Sequence, residues 1–572
     1  MLKVPCISLA FLRYSELSYM NRTLLRFSVL ALPVVWAACS DSPVESPVER
    51  EAVTVEAGRV APAATDAASL QAALDAAAVS GGLVVVSGTI TLDDPLTYHS
   101  DAPLTILGQD GARIVGPFDP IAAPSNSGAR VGEETVGDGL QILGEPDLSI
   151  RNVAFTGQTG HGVYYEFSDD ATGTVGISLH GVAFSNQGLS GMWVEEQAGG
   201  SEGAPDPIES EASIHLQFQN VRVMGTGYAE DEAETCREFA EGLGCSFADF
   251  DGVRVNEGGN GDITFAFRNV TITGNAGDGV ELDETGAGEV RGTVNASDFS
   301  GNGDQPQFPA DLEDGFDIDE AGPGGIHLAM HGTTVNGNID EGVDLDESDV
   351  DDSLQDIVIG AGDVYFEARG LVATGNADEN IKISDFLEIV QFDEDGEEID
   401  DSAETYGGAG DIILALSNVV ADGSAEGRGA RFEELGEGDV VGYITNSSFS
   451  DNTEDDGLRI DEEDDGSIDV ALRNVVTNGN DGQGIQMTEN GMGDIILVLN
   501  GSESTGNGNT AVELEEEDEG GHDVTIRGSV LIGEPGEESL DVIEADAGTS
   551  TVTIRGGTVS PAPVSSGDVV IH

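Results

Sequence analysis

Apolar residues recur in two rhythms along this chain. Leu70, Ala73, Leu74 and Ala77 follow Asp66 at helical spacing, which predicts one short amphipathic helix. From Leu83 onward the apolar residues alternate or run together in short β-branched stretches: Leu83-Val84-Val85-Val86, Gly88-Thr89-Ile90-Thr91-Leu92 and Leu104-Thr105-Ile106-Leu107-Gly108. Such runs are too short for helices and predict strands broken by Gly and Asn turns.

The strand pattern repeats. One unit reads GDITFAFRNVTITGNAGDGVELDE (261–284), and close copies begin at residues 324, 466 and 493. The second inward apolar residue of successive units is Leu282, Ile318, Leu345, Ile383, Phe432, Ile460, Met487 and Leu514, at intervals of 36, 27, 38, 49, 28, 27 and 27. A base period with insertions is the signature of a solenoid. Asn275, Asn302, Asn338, Asn376, Asn452, Asn480 and Asn507 fall at one position of the unit, so their amides are predicted to form a ladder inside a turn. The insertions, near 229–249, 303–313, 348–361 and 385–410, all precede Phe432. The predicted fold class is all-β, a parallel β-helix over residues 65–572 with a short N-terminal capping helix.

The passage GGLVVVSGTITLDDPLTYHSDAPLTILGQDG (81–111), following the helix, resembles the opening segment of the pectate-lyase-like parallel β-helix superfamily. That resemblance implies a right-handed coil. It also implies a groove along one outward sheet, since many exported members process or bind polysaccharide. Scaffold alone does not fix activity.

Composition adds an address and a charge. In 572 residues, 108 Asp and Glu oppose 22 Lys and Arg, a net charge of −86. This repels phosphates and anionic lipid surfaces, which excludes nucleic acid as a partner. The hydrophobic share of 39% is too high for a disordered acidic chain. Arg22 and Arg26 before the apolar stretch Phe27 to Val35 form an export signal, with Met20 as an alternative start. The stretch ends at Trp36-Ala37-Ala38-Cys39, which resembles a bacterial lipoprotein box. The expectation is a signal peptide over 1–38 and a lipid attached to Cys39. A flexible tether over 39–64 would then hold an exported protein at the outer membrane or cell surface, with the anchor as its membrane contact. Cys236 and Cys245 are expected to form a local disulfide. The pattern does not specify an oligomeric state.

In each G-φ-x-φ-D-E run the two φ residues face the core, so x and the following acid are expected to face solvent. The x column reads Arg254, Glu281, Asp317, Asp344, Lys382, Arg431, Arg459, and the next outward column includes Asp283, Asp319, Asp346 and Asp461. Carboxylates stacked at strand spacing repel by about 0.9 kcal/mol even in water, so they call for cations. Calcium is the natural candidate cofactor, held by Asp283, Asp317, Asp319, Asp344, Asp346 and Asp461. Residues from Asp461 also resemble the start of an EF-hand-type loop, with Leu472 where the closing Glu belongs. High-salt adaptation is a second account of the acidity, compatible with the first.

The cationic run Lys382, Arg431, Arg459 resembles in kind the Lys/Arg pairs of β-helix polysaccharide lyases of the alginate and chondroitin class. The resemblance implies Lys382 as the base that removes the proton α to a uronate carboxylate, with arginines steadying charge and calcium neutralising the carboxylate. Charge balancing of a repulsive ladder explains the same residues without catalysis. Two functions are therefore carried forward: an acidic-polysaccharide binder or lyase, and a non-catalytic structural or adhesive stalk.

Overall fold

A computed structural model describes residues 62–117, 137–168, 171–196, 210–227, 251–303, 313–351, 356–359, 362–389, 404–517, 520–545, 550–567 and 569–572. The signal segment 1–38, Cys39, nearly all of the tether and the Cys236–Cys245 pair lie outside the described residues.

Asp66 caps the predicted helix, Ala67–Ala77, by accepting the Ser69 amide at 2.8 Å. Its apolar stripe, Leu70, Leu74 and Ala77, is buried. The Gln71 amide ties the helix to the backbone of Thr97 in both directions.

After the helix the chain winds into strands that pair parallel, coil upon coil. One coil runs through Ile263–Arg268, turns through Thr271–Thr273 and continues as Val280–Glu284. The next coil restarts at Val290, directly over Ile263. Stacking yields a 20-stranded and a 16-stranded sheet, the second built from the Val280–Glu284 type of strand. The protein is a right-handed parallel β-helix with one capping helix, the hand that parallel crossovers adopt. The register predicted from the repeats is the register found: Leu282 pairs Ile318, Ile318 pairs Leu345, Ile383 pairs Phe432, and Ile460 pairs Met487.

Two insertions are not simple loops. Ser348–Asp351 pairs antiparallel with Asp356–Ile359, and the strand Lys382–Ile389 continues beyond the coil to pair antiparallel with Glu404–Gly407. Among the described residues these are the antiparallel pairings, and both hairpins spring from the second sheet's side.

One apolar core fills the coil from Ala64 to Val552. Its aromatic members stack from coil to coil, as Phe218 on Phe267 does with centroids 4.8 Å apart. Gly292 sits in a strand interior because a Cβ there would enter the Phe265 ring of the coil below.

The asparagine ladder forms in two segments. Asn275 donates to Asn302 at 3.0 Å, Asn302 to Asn338 at 3.4 Å and Asn338 to Asn376 at 3.0 Å. Asn376 then turns to Asn380, and Ser424 occupies the next rung. The ladder resumes from Asn452 through Asn480 to Asn507, at 2.8 Å and 3.1 Å. Each side-chain amide is buried and nearly saturated, so removing one strands its partners. Asn480→Ala should destabilise the fold by about 2 kcal/mol, read as a lower midpoint in denaturant melts.

The corner between the first two strands of a coil needs a left-handed residue. Asn269, Gly332, Gly370, Asn446 and Asn474 supply it, at φ of 53°, 59°, 65°, 52° and 52°. Ala296 holds the same corner at φ 50° and lacks their tolerance. Ala296→Gly should therefore raise stability by about 1 kcal/mol, checked in the same melts.

Candidate functional site: an acidic strip on the second sheet

The x column is assembled by register: Trp193 beside Arg254, then Glu281, Asp317 and Asp344 on successive coils. Lys382, Arg431 and Arg459 continue it. The neighbouring column places Asp283, Asp319 and Asp346 side by side. The structure thus brings together five of the six predicted calcium ligands along adjacent coils.

It corrects the expected exposure of two of the six: Asp344 is 7% exposed and Asp461 5%, as Glu281 is at 8%, whereas Asp283, Asp317, Asp319 and Asp346 are half-buried. Along the strip, carboxylates on adjacent coils cover one another and a third column crowds them. That third column is Asp251, Asp278, Asp314, Glu341 and Glu379, the residue just before each G-φ run or its equivalent. It was not expected, although the repeated Asp-Gly and Glu-Gly pairs at this position were its signal.

The third column has a structural reason. The Asp251 carboxylate accepts the Asp278 amide of the next coil at 2.9 Å, Asp278 accepts that of Asp314, and Asp314 accepts that of Glu341 at 2.7 Å. Each side chain satisfies one backbone donor and leaves its second oxygen towards the strip. Two groups of carboxylates then converge, each with oxygens within 4.8 Å: Asp278, Glu281 and Asp317, and one coil on Asp314, Glu341 and Asp344. A further group joins Glu281, Asp283 and Asp319.

The electrostatics follow. Burial, reinforced by neighbouring acids, holds Asp278, Asp314, Asp317 and Asp344 well above the ordinary carboxylate range. Burial also pushes Glu341 up to about 8. Protein cations close the two ends. Arg254 lies over the Trp193 ring at 5.3 Å and pairs with Glu281 and with Asp283 at 2.8 Å. Lys382 pairs with Asp344 at 2.7 Å, Asp346 at 3.3 Å and Glu341 at 3.8 Å.

These contacts correct the role expected of Lys382. Burial lowers its pKa, but Asp344, Asp346 and Glu341 together outweigh burial and hold it well above an ordinary lysine. An ammonium bound in this way is a poor base. Arg431 pairs with Glu433, and Arg459 holds Asp461 at 2.5 Å. Asp461 therefore stands apart from the acidic groups, inside the strand Leu458–Asp464 rather than in an EF-hand-type loop.

His161 is a core residue. It packs between Tyr164 and Trp193, and its Nδ1 accepts the Ser190 amide at 3.3 Å. Burial lowers its pKa to about 3.

The strip's donor chemistry fits calcium. All its donors are carboxylate oxygens, the ligands that a hard, geometrically tolerant cation accepts. Asp278, Glu281 and Asp317 would hold one ion, and Asp314, Glu341 and Asp344 a second beside Lys382.

No family model matches the chain, and no curated protein is similar to it in sequence. Solved structures similar to it include the alginate lyase from Paenibacillus sp. str. FPU-7, at 16% identity over 56% of this chain and 90% of that one, TM-score 0.36. The periplasmic alginate epimerase AlgG is 11% identical over 83% of this chain and 85% of its own, TM-score 0.33. Pectate lyase Pel9A is 12% identical over 66% and 73%, TM-score 0.33. The likeness extends no further than the fold.

Calcium binding to the folded strip should raise the thermal midpoint beyond the gain given by sodium chloride of equal ionic strength. Because the native carboxylates hold protons more tightly than free ones, protons compete with the ion, and calcium affinity should fall as pH drops from about 8 to about 5. Asp317→Asn removes one charge from the repulsive centre, so it should raise the calcium-free midpoint and shrink the calcium response. Calorimetric melts with calcium and with chelator read both effects.

Proposed function

We propose that this protein binds acidic polysaccharide through calcium held on the acidic strip. The observation that carries the reading is the convergence of Asp278, Glu281 and Asp317, where burial and neighbouring acids raise the pKa values of Asp278 and Asp317 and mark an excess of negative charge. A chain of net charge −86 repels uronate polymers, and a bound calcium supplies the positive charge that such a ligand needs. Lys382, Arg431 and Arg459 extend the same line on consecutive coils, roughly 4.8 Å apart, as a cationic rail beside it. Lipid anchoring through Cys39 would present this strip outside the cell, at the outer membrane or surface.

The reading is one of binding. β-Elimination with Lys382 as base runs against the carboxylates that keep its ammonium charged. A cation-stabilised stalk is the second reading. The pairing of Lys382 with Asp344, Arg431 with Glu433 and Arg459 with Asp461 favours it, since it is what charge balancing produces.

The test is affinity electrophoresis on alginate, pectate and glycosaminoglycan gels, with calcium or chelator, for wild type, Asp317→Asn and Lys382→Ala. Calcium-dependent retardation by at least one polymer is expected, weakened about tenfold or more in Asp317→Asn (about 1.4 kcal/mol). Ultraviolet detection of unsaturated uronate on the same polymers should stay at background. Retardation by none of them, with calcium still raising the melting point, would leave the stalk reading.

A further inference from the structure

Many second-sheet strands carry, near their C-terminal end, an acid that faces the core side of the sheet. The alternation that turns Ile485 and Met487 inward turns Glu489 inward as well. In the C-terminal half this column is Glu434, Glu462, Glu489, Glu516 and Glu544, paired coil upon coil. The first four are 0% exposed and Glu544 is 3% exposed. This half stands clear of the Asp278–Asp344 strip.

One oxygen of each glutamate has a defined task. Oε1 of Glu434 accepts the Gly436 amide at 2.8 Å, that of Glu462 the Gly466 amide at 2.9 Å, and that of Glu489 the Gly493 amide at 2.8 Å. These bonds close the turn that leads from the second sheet back to the first. Among the described residues, Oε2 of Glu434, Glu462 and Glu489 meets no N–H or hydroxyl donor. What it meets is another carboxyl: Glu462 is within hydrogen-bonding contact of Glu489, and Glu489 of Glu516.

Two ionised carboxylates cannot make such a contact, because neither carries a donor. Among the described residues no cation faces Glu434, Glu462 or Glu489. Glu434 faces Asp411 and Asp439, Glu489 faces Asp494, and Glu544 meets the Ser550 hydroxyl and the buried His522, 3.5 Å away. Burial also lowers the His522 pKa, which keeps that ring neutral.

We propose that alternate glutamates of this column are carboxylic acids in the native protein at neutral pH. Glu462 and Glu516 each donate an O–H hydrogen bond to the ionised Glu489 between them, so the C-terminal coils are held by a proton-sharing ladder that fails in alkali. Both carboxyls are raised, and the sharing adds to the rise at Glu462 while it subtracts from the rise at Glu489. Burial first, then the Glu489 and Glu434 charges, pushes Glu462 up to about 10. Glu489 is raised by burial but pulled back by its bonds to Gly493, Glu462 and Glu516.

The sign of the pH effect is fixed. A carboxyl whose native pKa lies above its unfolded value of about 4.3 contributes fully below that value and loses its contribution as pH rises through the native one. For Glu462 the window runs from about 4.3 up to about 10. Inside it, the unfolding equilibrium shifts towards the open chain by about tenfold per pH unit for each extra proton held by the native state.

The experiment uses the full chain in saturating calcium, to reduce the contribution of the strip, and the Glu462 variant singles out the ladder from other buried carboxyls. Infrared spectra of the wild type at about pH 7.5 in heavy water should show the carbonyl stretch of buried carboxylic acids, lost on unfolding. Glu462→Gln keeps the shape and a donor but cannot ionise. It should reduce that band and flatten the dependence of the unfolding equilibrium on pH, between about 6 and 9, by close to one proton. A wild type without the acid band at pH 7.5 overturns the proposal, and this holds even if Glu462→Gln does not fold. A folded Glu462→Gln that keeps the wild-type band and pH slope overturns it too.

Discussion

Everything in this molecule depends on one repeat distance. Coils stack at roughly the spacing of strands in a sheet, about 4.8 Å, so each side chain lies against its counterparts above and below. The stack multiplies whatever that neighbour contact is worth. For Phe218 on Phe267 it is a ring stack, and for Asn452, Asn480 and Asn507 a continuous hydrogen bond. For carboxylates it is repulsion, and the protein meets it in three ways.

At the strip ends it uses its own cations, Arg254 and Lys382. Along the strip centre it gathers oxygens from two columns into groups that suit an external divalent ion. On the core side it turns carboxyls on one another, with Gly amides satisfying the outer oxygen and a shared proton the inner one. The three solutions differ in what they require of the solvent. The first needs nothing, the second needs a cation, and the third needs a pH below the alkaline range. Among the described residues, the acids of the second sheet are therefore not a uniform coat but stand in columns.

The hairpins that rise beside the second sheet, Ser348–Asp351 with Asp356–Ile359 and Phe386–Ile389 with Glu404–Gly407, leave the coil next to Asp346 and Lys382. The long sheet carries no comparable arm among the described residues. The second sheet therefore combines the acids, the cations and the arms, while the regular C-terminal coils combine the two ladders.

The period of 27, and with it the pairing of Leu282 with Ile318 or Ile460 with Met487, was readable in the chain, because a solenoid's contacts are fixed offsets in sequence. The asparagine ladder and the order Lys382, Arg431, Arg459 were readable for the same reason. What the spacing could not set was which carboxylates share a volume. Asp278 meets Asp317 from a turn, across two columns and two coils, and Glu341 reaches Lys382 in the same way. The inward Glu489 column was implied by two-residue alternation, yet charge argued against burial until its Gly493 amide and its carboxyl neighbours were in place. Columns are a property of the repeat, and sequence determines them. Protonation and ion pairing depend on desolvation and on side chains converging from different columns, which only the folded coil brings about.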